Sequence, residues 1–348
     1  MKEDRNIHLV QFADGRMVTN ERFFLHEYEK QGTGKPLEKS IKFQAGDVLF
    51  LLDPTWTMSD AFYPIVQELH RVGGRAFAVV HDLFPLRYPE FFNMKEPDAI
   101  FKQWHEFVMR ECDGLICNSK ATADTVSDYM MEHGIKPEKS TNLYYFPCGA
   151  VMPNASGKVR KKLCRFLADA CPMFLMVGVI NPRKDYATAL EAFRKLWRNG
   201  DNAKLLIIGR HLINSEIEDE IMSVQSRDDR LLWLQDASDA ELVYAYKNAD
   251  CYLTASLDEG FGLPMVEAAN FSLPILCSDI PIFHEVSQEQ ADFFPAGDSD
   301  GLCRALTKWM KQDDHPDPNK IRIYSWRESA GSILQILRGR TEPYMVME

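Results

Sequence analysis

The sequence predicts an α/β protein with mostly parallel sheets and two cores, and three observations carry that reading. Short apolar runs alternate with helical patterns along most of the chain, as strands buried between crossover helices do. The rhythm breaks once, at about 149–171, where GAVMPNASGKVRKKLCRFLADACP loses strand character. With 348 residues, 45% of them hydrophobic, the chain can fill two cores and is long for a single domain.

In the first half the strand candidates are IHLVQF (7–12), DVLFLLD (47–53), RAFAVVHD (75–82), GLICNS (114–119) and NLYYFP (142–147), with helical patterns at 59–72, 98–111 and 120–133. In SKATADTVSDYM, Ser119 or Lys120 stands near a helix start, and apolar residues return at helical spacing. The second half is cleaner. MFLMVGVI (173–180) precedes a helix at 186–198, and KLLIIG, RLLWLQ, CYLTAS and PILCSD alternate with helices near 215–226, 239–249 and 264–271. That order is what a doubly wound nucleotide-binding domain requires. SWRESAGSILQILR reads as an amphipathic helix outside the alternation. The expected division is a first domain at 1–150, a linker at 151–171, a second domain at 172–322 and a terminal helix at 323–340.

A net charge of −11 argues against a nucleic-acid footprint and still permits a local basic pocket for phosphates. The KVRKK cluster in the linker reads as a solvated face before it reads as a lipid or phosphate patch. MKEDRNIHLV has no apolar core of a signal peptide, and no run approaches the ~20 apolar residues of a membrane helix. The eight cysteines lack metal-ligand spacing and read as reduced, packed thiols, so a cytoplasmic protein without a metal site is expected.

The most informative segment is CYLTASLDEGFGLPMVEAA. An apolar strand ends near Ser256, a loop with Gly260 and Gly262 follows, and Pro264 stands where a helix would begin. Amides of the loop and helix start would converge on one spot, an anion site for a diphosphate. Glu259 and Glu267 flank that cradle and can accept hydrogen bonds from hydroxyls on either side. Glycine and proline alone would also suit an ordinary strand–helix turn.

Glu, seven residues, Glu around GFGLP resembles the signature of the retaining glycosyltransferases of family 4. Their GT-B fold sets two Rossmann-like domains face to face across a cleft, and the C-terminal helix crosses back to the first domain. The resemblance implies that Glu267 binds the donor ribose and Glu259 the sugar hydroxyls, with the Gly260, Phe261, Gly262 and Leu263 stretch near sugar and phosphate. VGVINPRKDYATALEAF resembles the G-x-x-x-P-R-K-N pattern of mannosyltransferase-like members, so Lys184 and Arg183 are expected on the diphosphate. This chain has Val179 where other members carry an arginine, and Asp185 where asparagine or glycine is usual.

VVHDLFPLRYPEFF ends a strand with His81 and Asp82. A lone histidine carries little information by itself, but the family's H-D-x-x-P segment faces the cleft, which implies a catalytic or sugar-contacting His81. Asp82, Asn118, Ser119 and the neighbouring Lys120 are expected near the cleft, the first three on its acceptor side. Asp53, Thr55 and Trp56, at another strand end, are expected on the acceptor side. One departure stands out: the chain reaches DVLFLLD by residue 47, and IHLVQFADGRMVTNERFF supplies no strand, glycine loop and long helix of the usual opening. The first domain is expected to be short.

The function implied is a retaining, metal-independent hexosyltransferase in polysaccharide biosynthesis. It has no cofactor and takes a nucleotide sugar, GDP-mannose before others, and a saccharide or lipid-linked saccharide acceptor. Its catalytic residues would be His81, Lys184 and Glu259, and any membrane association would be peripheral, at the inner face of the plasma membrane. The alternatives are a glucosyltransferase or synthase using a UDP- or ADP-sugar, and a catalytically degenerate partner protein that binds nucleotide sugar.

Overall fold

Buried apolar strands force the chain into two parallel sheets. The structure is a computed structural model that describes residues 10–13, 16–19, 41–52, 59–92, 98–150, 156–210 and 216–348, the first two stretches as backbone. Val10–Ala13 (β1) and Arg16–Thr19 (β2) pair antiparallel in a small separate sheet. This corrects the reading of IHLVQF as a strand of the alternating α/β series, because a two-residue connection can only return the chain antiparallel.

The first domain holds Val48–Leu51 (β3), Arg75–Val80 (β4), Gly114–Cys117 (β5) and Thr141–Tyr145 (β6), mutually parallel. Met345–Met347 (β13) joins the far edge antiparallel to β6, giving the order β13-β6-β5-β4-β3. β5 is buried at every position, as expected of a parallel strand covered on both faces. Helices Ser59–Arg71 and Ala99–Glu111 pack on one side, the second capped by Asp98 accepting from the Phe101 amide at 2.8 Å. Among the described residues this sheet has four parallel strands.

The second domain contains Met173–Val177 (β7), Lys204–Ile208 (β8), Leu231–Leu234 (β9), Cys251–Thr254 (β10), Ile275–Ser278 (β11) and Asp292–Phe294 (β12). All pair parallel in the order β12-β11-β10-β7-β8-β9. The strand order therefore reverses between β10 and β7, and the loops leaving these two strands frame a crevice. The linker is not a free tether. Arg160, within KVRKK, pairs with Asp236 at 2.8 Å and with Glu241, which is 3% exposed, so this member of the cluster is committed to the second domain.

Helix Trp326–Leu337 leaves the second domain and lies on the first. Ile336, 2% exposed, packs with Phe77, Ile116, Tyr144 and Phe146, and Ser329 Oγ donates to the Pro147 carbonyl at 2.6 Å. Two connections thus join the domains, and they touch where the Ala150 amide donates to the Tyr324 carbonyl at 2.9 Å. Among the described residues no helix is long and apolar enough to cross a membrane. Ile336→Ala should cost about 2–5 kcal/mol, read as a lower urea midpoint for the first domain.

Candidate active site

Two loops meet at the crevice. After β7 the chain turns through a short 3-10 segment, Pro182–Lys184, begun by Asn181, whose side chain accepts from the Lys184 amide at 3.0 Å. Asp185 then adopts a left-handed φ of 46° and caps helix Tyr186–Arg198, accepting from the Thr188 amide at 3.2 Å. Asparagine and glycine tolerate that conformation well, and aspartate here combines it with a capping carboxylate. Val179 is exposed.

The loop after β10 brings Glu259 against this turn. Its carboxylate, 8% exposed, lies 2.6 Å from Arg183 Nη1 and 2.6 Å from Lys184 Nζ. Ser256 Oγ also donates to it at 2.9 Å. Burial works against its charge, yet Lys184 and Arg183 outweigh burial and hold the carboxyl below the ordinary glutamate range. The backbone ties the loops further, since the Leu257 amide donates to the Arg183 carbonyl at 2.8 Å and Arg183 Nη1 to the Asp258 carbonyl at 2.6 Å.

Gly262, at φ 85°, turns the chain into helix Leu263–Asn270, with Pro264 in its first turn. First-turn amides of a helix have no intrahelical acceptor and carry the positive end of its dipole. Phe261 and Leu263 flank that left-handed glycine. One turn on, Glu267 accepts from Tyr246 Oη at 2.8 Å. Burial raises the Glu267 carboxyl above its ordinary range, against the opposing pulls of Tyr246 and Lys184. Tyr246 was not singled out in the sequence, where it reads as a core aromatic of helix Asp239–Asn248.

The first domain closes on the same loop. A Cβ at Gly260 would lie 2.6 Å from the His81 carbonyl oxygen and 3.1 Å from Asn118 Nδ2, so only glycine fits. Ser119 Oγ and Thr122 Oγ1 reach the Gly260 carbonyl at 2.8 and 3.1 Å. Glu285 accepts from the Lys120 and Ala121 amides at 2.8 and 2.9 Å, and Arg87 pairs with Asp258 at 2.7 Å. Arg183 stacks over the Phe84 ring at 4.3 Å.

Arg183, Lys184, Glu259 and Glu267 therefore come together on the second domain. His81 is exposed at the end of β4, beside the half-buried Asp82, which accepts from the Phe84 amide at 3.2 Å. Burial raises the Asp82 carboxyl. Gly260, Asn118 and Ser119 belong to the domain contact. Ser119 is 1% exposed and its hydroxyl is engaged with the Gly260 carbonyl of the second domain. Asp53, Thr55 and Trp56 lie outside the described residues. Among those described, no group of three or more His, Cys, Asp or Glu gathers in a metal-binding arrangement.

Residues 166–325, which contain the second sheet and both loops, match the family model of glycosyl transferases group 1. The chain is 31% identical over 310 residues to the serotype-specific mannosyltransferase WbdA of Escherichia coli, covering 86% of this chain and 38% of that protein. It is 27% identical over 207 residues to the O-antigen chain mannosyltransferase RfbU of Salmonella typhimurium, covering 60% of this chain and 53% of that protein. The chain thus spans well under half the length of WbdA. Among solved structures, sucrose-phosphate synthase from Thermosynechococcus elongatus superposes with a TM-score of 0.62 at 17% identity, covering 84% of this chain and 73% of that one. The N-terminal domain of Candida albicans trehalose-6-phosphate phosphatase gives 0.65 at 11% identity, covering 86% and 71%. The fold is GT-B: two Rossmann-like domains facing across a cleft, the last helix crossing back.

Two expectations follow from the ion cluster and its neighbour. The depressed Glu259 carboxyl contributes stability above the unfolded glutamate pKa of ~4.3, lost as pH falls through the lower folded value. Lys184→Ala should therefore cost about 3 kcal/mol at neutral pH, with the deficit narrowing below pH ~4 in thermal melts. Tyr246→Phe strips a hydrogen bond from a partly buried carboxylate and should destabilise by about 1–3 kcal/mol. Because that bond favours the charged form, this second deficit should also shrink in acid.

Proposed function

We propose that this chain is a retaining, metal-independent hexosyltransferase. In this reading it moves mannose from GDP-mannose to a saccharide or lipid-linked saccharide acceptor in polysaccharide biosynthesis. The observation that carries the reading is the buried Glu259 carboxylate between Arg183 and Lys184 at the mouth of helix Leu263–Asn270. The match to glycosyl transferases group 1 and the likeness to proteins named mannosyltransferases support it.

The departing nucleoside diphosphate is the largest charge that develops in such a transfer, and fixed cations with helix-end amides stabilise it. Lys184, Arg183 and the amides of the Gly262 turn take that role. Glu267 receives the ribose hydroxyls and Glu259 the sugar hydroxyls. As the bond from the anomeric carbon to the diphosphate oxygen breaks, the acceptor oxygen bonds to that carbon on the same face. Its proton passes to the departing phosphate oxygen, and His81 orients the reacting groups. The protein would work at the cytoplasmic face of the plasma membrane, held peripherally.

A second reading keeps nucleotide-sugar binding without turnover. It is favoured by the first sheet, which has four parallel strands among the described residues against six in the second domain. A screen of GDP-mannose, UDP-glucose and ADP-glucose, following nucleoside diphosphate release with and without mannose oligosaccharides, separates the readings. Acceptor-dependent GDP release is expected; binding without release would favour the partner role, and preference for UDP or ADP donors a synthase-like enzyme. Lys184→Ala and Glu259→Gln should each lower turnover about 10²–10³-fold, and near-normal rates in both would refute the assigned roles.

A further inference from the structure

A cavity of about 270 Å³ lies against the ion cluster, bordered by Arg183, the residue that also pairs with Glu259. Asn181 of the same turn borders it too, and the first domain supplies His81 and Asp82 at the end of β4, Phe92, and Trp104 and His105 on helix Ala99–Glu111. A space of this size is small for a drug-sized ligand and sufficient for one polar ring.

His105 gives the cavity its chemistry. It is 4% exposed, and its Nδ1 lies 2.8 Å from the Phe101 carbonyl oxygen. A carbonyl only accepts, so Nδ1 carries the proton and the neutral ring keeps Nε2 as a bare acceptor. Burial pushes the imidazole pKa down to about 4, so the ring stays neutral at physiological pH. Phe92 and Trp104 supply apolar surface beside this acceptor. Asp82 spends Oδ1 on the Phe84 amide and keeps Oδ2 for a second donor. Aromatic surface next to hydrogen-bond acceptors matches a hexose, whose C–H face is apolar and whose rim consists of O–H donors.

We propose that this cavity is a subsite for one hexose ring of the saccharide acceptor, with its apolar face on Phe92 and Trp104 and one hydroxyl donating to His105 Nε2. The shared wall at Arg183 sets this ring next to the site of Glu259, so His105 selects the acceptor by the hydroxyl it can receive. The inference rests on the glycosyl-transfer reading and extends it to residues of the first domain outside the H-D segment.

Direct binding tests it without relying on turnover. The full chain, saturated with GDP, is titrated with methyl α-mannopyranoside and followed by saturation-transfer NMR and calorimetry. Saturable binding is expected, and His105→Phe should weaken it about tenfold while GDP affinity is unchanged. His105→Gln, whose amide oxygen can stand in for Nε2, should retain binding within about threefold. Equal binding by wild type and His105→Phe overturns the subsite, as does the absence of saturable binding by wild type. Should His105→Phe fail to fold, ¹⁵N-histidine spectra of the wild type decide, since the probe must shift the His105 Nε2 resonance and an unmoved signal overturns the proposal. Intact probe binding without any sugar transfer would fail the transferase reading alone.

Discussion

One buried carboxylate organises the crevice. Glu259 is removed from water, and its charge is tolerable only because two cations and a serine hydroxyl meet it. The same contacts fix the loops after β7 and β10 against each other, so strand order and side-chain charge specify one geometry. The cluster has a chemical consequence for any anionic ligand. Both cations are already neutralised in part, and a diphosphate must share them with Glu259 or draw them away. An anion that also offers a hydroxyl to Glu259 would leave no charge bare.

The domain contact is built on backbone groups as much as on side chains. The Gly260 carbonyl receives two first-domain hydroxyls, while Glu285 caps the helix that Ser119 begins. A carboxylate at a helix N-terminus gains both hydrogen bonds and a favourable dipole, and here it comes from the opposite domain. Burial nevertheless raises the Glu285 carboxyl above its ordinary range. The contact is therefore electrostatically compensated, with Ala121 packed against the second-domain core beside it.

Much of this was legible in the residues. Runs such as KLLII and GLIC announce buried parallel strands because both of their faces are covered, and the Glu259–Glu267 spacing with Arg183 and Lys184 points to the crevice. Asp292–Phe294, helix Ser299–Trp309 and Met345–Met347 went unmarked. A three-residue strand has no periodicity to read, and β13 exists only because β6 offers it an edge. Tyr246 and His105 were likewise invisible. Each looks like a core aromatic on its own helix, and its role arises from a partner or cavity supplied by another element. Asn118 and Ser119 read as polar residues near a cleft, and their place beside Gly260 of the other domain has no signal in the sequence.

The two chain crossings between the domains have a mechanical meaning. They touch at the Ala150 amide and the Tyr324 carbonyl, and Gly149 is pressed against the backbone of Trp326, where an added Cβ would lie 2.4 Å from its amide nitrogen. Two ropes knotted at one point act as a single pivot. Sliding or twisting of one domain past the other would tear that seam, whereas rotation about it leaves both crossings whole. Across the cleft, the grip on the Gly260 carbonyl consists of two hydroxyl hydrogen bonds, contacts that water can replace.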